Sequence, residues 1–118
     1  MFHDVRKSVW DALNACRMIR EFTQGHTQES HRLDRRNRLA IERLFEILGE
    51  AFSRIDKAEP SFRKYLPEMG NVIGMRNRIS HGYDYVDDAT VWAAVEENIP
   101  ALAAKLAEWL DEQPNVEC

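Results

Sequence analysis

With 118 residues, 44% apolar and 31% charged, the chain can build one hydrophobic core but not two, and its composition is that of a globular rather than a disordered protein. A net charge of −4 excludes a protein that coats nucleic acid by bulk attraction. No apolar run approaches the roughly 20 residues of a bilayer span, and the charged start (His3, Asp4, Arg6, Lys7) has no signal-peptide core behind it, so a cytoplasmic location without membrane contact is expected. Cys16 falls in a helical pattern and Cys118 is the last residue, which makes neither a disulfide framework nor a metal site.

The first helix is expected over about residues 4–22, where Val9, Leu13, Cys16 and Ile19 recur at three- and four-residue steps. Asp4 is placed to cap its start and Gly25 follows its end. Trp10 and Met18 read as core. A second, longer helix is expected without interruption over about 27–57, with Ile41, Leu44, Leu48, Ala51, Phe52 and Ile55 as its stripe. Leu39, Phe45 and Ile47 broaden that stripe, so the helix should pack on more than one neighbour. Gly49 inside it costs about 1 kcal/mol relative to alanine, and close approach of another helix would account for it. His26 and His31, with no thiol or carboxylate cluster near them, read as surface residues rather than metal ligands.

Pro60 and Pro67 punctuate the next connection, and residues 61–66 suit a short helical turn carrying Phe62 and Tyr65. A third helix is expected over about 67–80, with Pro67 in its first turn and Met69, Val72, Ile73, Met75 and Ile79 buried. Gly70 and Gly74 make it a poor isolated helix, one held in place by tertiary or subunit packing. After Gly82, Asp87 or Asp88 caps a last helix reaching about 112, with a stripe from Val91 and Trp92 to Trp109 and Leu110 and a kink at Pro100. The tail after Pro114 should fray. No strand-like alternation, internal repeat or low-complexity linker interrupts this pattern. The expected architecture is all-α: a single domain, 1–118, built as an antiparallel bundle of four main helices plus a short helical turn.

Chemistry concentrates where the third helix ends, in Met75-Arg76-Asn77-Arg78-Ile79-Ser80-His81-Gly82-Tyr83-Asp84-Tyr85. Histidine exchanges protons near neutrality, and arginine keeps its charge and grips phosphate in a fork. Arg76 and His81, five positions apart, would stand about 140° apart around an unbroken helix, whereas Asn77 and His81 share a face. Arg76 and His81 therefore meet one substrate only if the helix ends or distorts near Ser80, or if a second chain supplies its own copy. Gly82, as a left-handed cap, supports the first option. A basic strip upstream (Arg32, Arg35, Arg36, Arg38, Arg43) is either a solvated helix face or a guide for a phosphate backbone. There is no Gly-rich phosphate loop, no H-E-x-x-H, no C-x-x-C and no nucleophile elbow, and no cofactor or metal is expected.

The run Arg76-Asn77-Arg78-Ile79-Ser80-His81-Gly82-Tyr83 resembles the R-x4-H-x-Y signature of HepT-like toxins, a branch of the HEPN superfamily of small helical ribonucleases. Ala40-Ile41-Glu42-Arg43 and Leu48-Gly49-Glu50-Ala51 resemble the family's central helix, and Val86-Asp87 with Val91-Trp92 resembles its last. The resemblance implies a metal-independent endoribonuclease toxin whose composite site forms at a homodimer interface. His81 would be the general acid/base and Arg76 would stabilise the scissile phosphate, with Asn77 and Arg78 binding or orienting substrate. Tyr83 would be the residue to which an MntA-like nucleotidyltransferase antitoxin attaches AMP, adding negative charge where RNA must enter. The alternative is a non-enzymatic helical binding partner of a minimal nucleotidyltransferase. A helix-turn-helix regulator fits less well, since no basic recognition helix stands out.

Overall fold

The computed structural model describes residues 2–81 and 88–112, and every element among them is helical. Helix α1 spans Phe2–Thr23, α2 Gln28–Leu33, α3 Arg35–Ala58, α4 Phe62–Tyr65 and α5 Met69–His81. The last helix is continuous in path but not in kind: α6 (Asp88–Ala93) passes through a π-helical turn (Ala94–Asn98) into α7 (Ile99–Glu112). The all-α bundle expected from the sequence is the observed class.

The buried side of α1 is the expected stripe: Val9, Cys16 and Ile19 are fully buried and Leu13 nearly so, with Val5 and Ala12 extending it. The Thr23 hydroxyl donates to the Ile19 carbonyl at 2.8 Å, and Gly25, in a left-handed conformation at φ 84°, turns the chain away. Asp4, the expected cap, has a side chain outside the described set. Trp10 corrects its expectation: it is 49% exposed, because it lies on the flank of the stripe rather than within it. Met18 is half-buried against the core.

The expected second helix is two. Thr27 caps α2 through a reciprocal pair with Ser30, and α2 stops at Asp34. Asp34 leaves helical geometry at φ −100° and ψ 91°, and its carboxylate accepts from the Asn37 amide at 3.0 Å to start α3. One aspartate thus ends one helix and caps the next. The break turns His31 inward, contrary to its surface reading. It is 1% exposed, its ring lies 5.1 Å from that of Trp92, and its Nδ1 is 3.4 Å from the Asn37 side-chain Nδ2. Leu39, counted in the α3 stripe, is 57% exposed.

Helix α3 is the central element. Ile41, Phe45, Leu48, Ala51, Phe52 and Ile55 are fully buried, with α1 on one side and α5 on the other. It runs antiparallel to α1: Arg54 reaches Ser8 and Asp11, while Leu44 and Ile47 share a cleft with Ala15 and Met18. Helix α4 ties the chain to α7, where the Tyr65 hydroxyl donates to the Lys105 carbonyl at 2.7 Å and the Phe62 ring meets that of Trp109 edge-on. Pro67 precedes α5 rather than entering it, since Leu66 caps α4 and a turn intervenes before Met69.

Pro100 does not simply kink its helix. It has no amide to bond the Glu96 carbonyl, and the helix widens one turn earlier, so that the Ile99 amide bonds Ala94 five residues back. The expected apolar residues stay inside: Val91, Trp92, Val95, Ile99, Leu102 and Leu106 are buried, and Trp109 and Leu110 pack partly against them.

Candidate active site

One contact sets how closely α5 approaches α3 at Arg76. Gly49, buried in α3, lies directly beneath the Arg76 side chain; a Cβ built there would sit 2.6 Å from Arg76 Cγ and closer still to its Cβ. Any larger residue at 49 would push α5 away, which is the close approach expected of that glycine. Gly70 similarly admits the Arg63 guanidinium, whose Nη1 would be 2.9 Å from an added Cβ. Arg63 is held in turn by a two-pronged pair with Asp56 at 2.8 and 3.1 Å, which lowers the Asp56 carboxyl pKa. Gly74 is different: nothing lies within 4 Å of an added Cβ, so its side of α5 is open.

That open side borders a groove of about 670 Å3 between α5 and the α6–π segment, lined by Gly70, Asn71, Gly74, Met75, Ala93 and Asn98 among others. Its walls are mostly small side chains, so the two backbones show through rather than filling the space.

The Arg76 aliphatic stem crosses Gly49, and its guanidinium Nη1 donates to Asn77 Oδ1 at 3.0 Å. Its Nε is buried and has no hydrogen-bond partner among the described residues. A buried donor without an acceptor costs about 1–3 kcal/mol. Asn77 is exposed beside it.

Helix α5 stays helical through His81. The backbone positions of Arg76 and His81 are therefore about 140° apart around one axis, and Asn77 and His81 fall on one face. The helix ends one residue beyond Ser80, where an end was expected, and the Gly82 cap expected to follow it lies outside the described residues. The side chains of Arg78 and His81 lie outside the described residues, as do residues 82–87 with Gly82, Tyr83 and Tyr85, and residues 113–118 with the tail and Cys118.

Gly70 of α5 meets Arg63, which pairs with Asp56 near the end of α3, while Arg76 crosses Gly49, so the two helices run antiparallel and α5 continues toward the N-terminal half of α3. His81 lies about 7 Å further along the axis than Arg76. The basic strip begins at this end of the bundle. Arg35 and Arg36 are exposed, while Arg32 pairs with Glu29 at 2.8 Å and Arg43 with Glu46 at 3.1 Å. Arg38 is half-buried, and its Nε has no hydrogen-bond partner among the described residues. Two of the five arginines are thus balanced by acids on their own helices, and the strip is less uniformly cationic than its sequence.

Among the described residues no three His, Cys, Asp or Glu side chains gather as metal ligands, and no helix is long and apolar enough to cross a membrane. Sequence reasoning missed the burial of His31 against Trp92. Nothing local announces that contact, because the two residues belong to helices far apart in the chain.

A family model described as "Ribonuclease HepT-like" matches residues 12–109. The chain is 33% identical over 97 residues to "Probable ribonuclease HepT" of Thermococcus cleftensis, covering 80% of this chain and 86% of that protein. It is 29% identical over 101 residues to "Putative RNase MJ1380" of Methanocaldococcus jannaschii, covering 84% and 90%. No solved structure matches the chain.

Proposed function

The chain belongs to the HepT-like ribonuclease family, and on that premise we propose that it is the toxin of a toxin–antitoxin pair, cutting RNA without a metal ion at a site shared by two copies. The observation that carries this reading is that α5 stays helical from Arg76 to His81: their backbone positions stand about 140° apart around one axis, which favours a partner's α5 as the element that completes the set. The open side at Gly74 and the small-residue groove beside it favour such a neighbour, because a second backbone can come close there.

Two apposed α5 tips bring two imidazoles and two guanidiniums to one phosphodiester. One His81, unprotonated, takes the proton of the ribose 2′-hydroxyl as that oxygen attacks phosphorus. The other, protonated, gives its proton to the departing 5′-oxygen, leaving a cyclic phosphate and a free 5′-hydroxyl. Arg76 answers the charge that builds on the non-bridging oxygens. Asn77 holds the guanidinium through its side-chain carbonyl, and Arg78 adds a phosphate contact. Tyr83, two residues beyond His81, is the site at which an MntA-like nucleotidyltransferase attaches AMP, and the added phosphate repels the RNA backbone. All of this takes place in the cytoplasm.

The test is purified protein with varied RNAs, with and without chelator, alongside its solution mass. Cleavage should survive chelation, the protein should be dimeric, and His81→Ala should lose roughly 10²–10⁴-fold in rate while its circular dichroism stays helical. If the wild type leaves every RNA intact, the chain is a binding partner and not a nuclease. Co-expression with the cognate nucleotidyltransferase should add AMP mass to Tyr83; modification at Tyr85 or Ser80 instead would overturn that assignment.

A further inference from the structure

The outer face of α1 carries a feature that the site above does not use. Arg6, Lys7, Trp10 and Arg17, spaced at helical steps of three, four and seven, line a groove of about 610 Å3 with the last turns of α7. Trp10 is half in solvent, an unusual place for the largest apolar side chain in a protein whose other described tryptophans are packed. The Arg17 guanidinium carbon lies 5.9 Å from the Trp10 ring centroid, within cation–π reach. Arg6 Nη1 is buried and has no hydrogen-bond partner among the described residues. Lys7 pairs with Asp11 at 3.3 Å, an exposed i,i+4 contact that an anionic ligand readily replaces. Asp111 is the acid among the described residues lining the groove, set against three cations.

A chain of net charge −4 has thus gathered positive charge around an accessible indole. We propose that this groove binds a stretch of single-stranded RNA, with a base stacked on Trp10 and phosphates on Arg6, Lys7 and Arg17. Stacking on one aromatic face tolerates any base, and flanking cations track the backbone; the combination is the usual one for single strands and serves poorly for a duplex, whose bases are already stacked. From Arg6 to Arg17 the helix rises about 16 Å, room for a short run of nucleotides. The direction is also suitable. Helix α1 runs antiparallel to α3, so moving from Arg6 toward Arg17 leads to the end of the bundle where α5 finishes at His81.

This proposal takes its substrate class from the ribonuclease reading, so its test separates the two. A short single-stranded oligodeoxynucleotide of mixed sequence, which lacks the 2′-hydroxyl and cannot be cut, is titrated while tryptophan emission is followed, with Trp10→Phe fixing the contribution of the other indoles. Emission of the wild type should be quenched, and Trp10→Ala should bind roughly 5- to 150-fold more weakly. Arg6→Gln/Lys7→Gln, which leaves the indole in place, should lower the slope of log affinity against log salt by roughly 1.4. With long RNA, Trp10→Ala should raise KM and leave kcat, and the cutting of a dinucleotide, unchanged. Equal affinity of Trp10→Ala and wild type, no oligonucleotide binding at all, or equal binding of a duplex would overturn the groove. Trp10-dependent binding without cleavage of any RNA would sustain the groove and overturn the nuclease.

Discussion

Replacing Gly49 with alanine tests the contact on which the placement of Arg76 depends. The new methyl would meet Arg76 Cγ at 2.6 Å and the Arg76 Cβ more closely. Both atoms lie near the α5 backbone, so no rotamer change relieves the overlap and the helix itself must retreat by about 1 Å to restore ordinary contact. Overpacking of this kind costs about 1–3 kcal/mol, against which alanine returns about 1 kcal/mol of helix propensity. The expected net loss of about 1 kcal/mol lowers the melting temperature of a domain this size by roughly 4 °C. Function should suffer more than stability, because a displacement of about 1 Å at a reacting group can cost on the order of 100-fold in rate. Thermal melts followed by circular dichroism and RNA cleavage assays read the two quantities separately. Gly74→Ala is the control: its methyl meets nothing within 4 Å, so within one protomer it should stabilise by about 1 kcal/mol. A Gly49→Ala protein that melts higher than wild type and cleaves RNA as fast would refute the close approach and the positioning argument built on it.

The helix ends and the core give further expectations. Asp34→Ala removes the acceptor of the Asn37 amide and should cost about 1 kcal/mol in urea denaturation, while Asp34→Asn should keep most of it. Burial pushes the Cys16 thiol up to about 12 from 9.0, so in a Cys118→Ser background it should resist thiol reagents at pH 8 until the protein is unfolded. Because the folded value is the higher one, the Cys16 contribution is complete below pH 9 and declines as pH rises toward 12, with about 1 kcal/mol lost by pH 10 that a Cys16→Ala chain should not show.

What could be read in advance was whatever repeats at helical spacing. The stripes of α1, α3 and α7 are buried as expected, and Gly49 was legible because a glycine inside a long apolar-periodic helix needs a neighbour to justify it. The Asp34 break was not. Arg32 to Leu39 has acceptable helix formers throughout, and the aspartate that caps α3 differs in no local way from one on a helix surface. His31 and Trp10 depart from their sequence pattern in opposite directions for a related reason. Periodicity tells which residues share a face, but packing between helices distant in sequence decides whether a residue on its margin is covered. At the candidate site the residue types and their angular separation were apparent from spacing alone, whereas the crossing of the Arg76 stem over Gly49 required two helices to be placed together.

The widened turn at Ala94–Asn98 carries a consequence for how this chain tolerates insertion and deletion. Val91, Val95 and Ile99 are set four apart, and in a regular α-helix each such step would creep about 40° around the axis and carry the later leucines off the core. The surplus residue takes up that creep, as a leap day keeps a calendar in season. Shortening the segment by one residue, even with Pro100→Ala to permit ordinary bonding, should therefore swing Leu102 and Leu106 out of alignment with α1. Lengthening the exposed connection at Glu59–Pro60 by the same amount should leave the register of the last helix untouched.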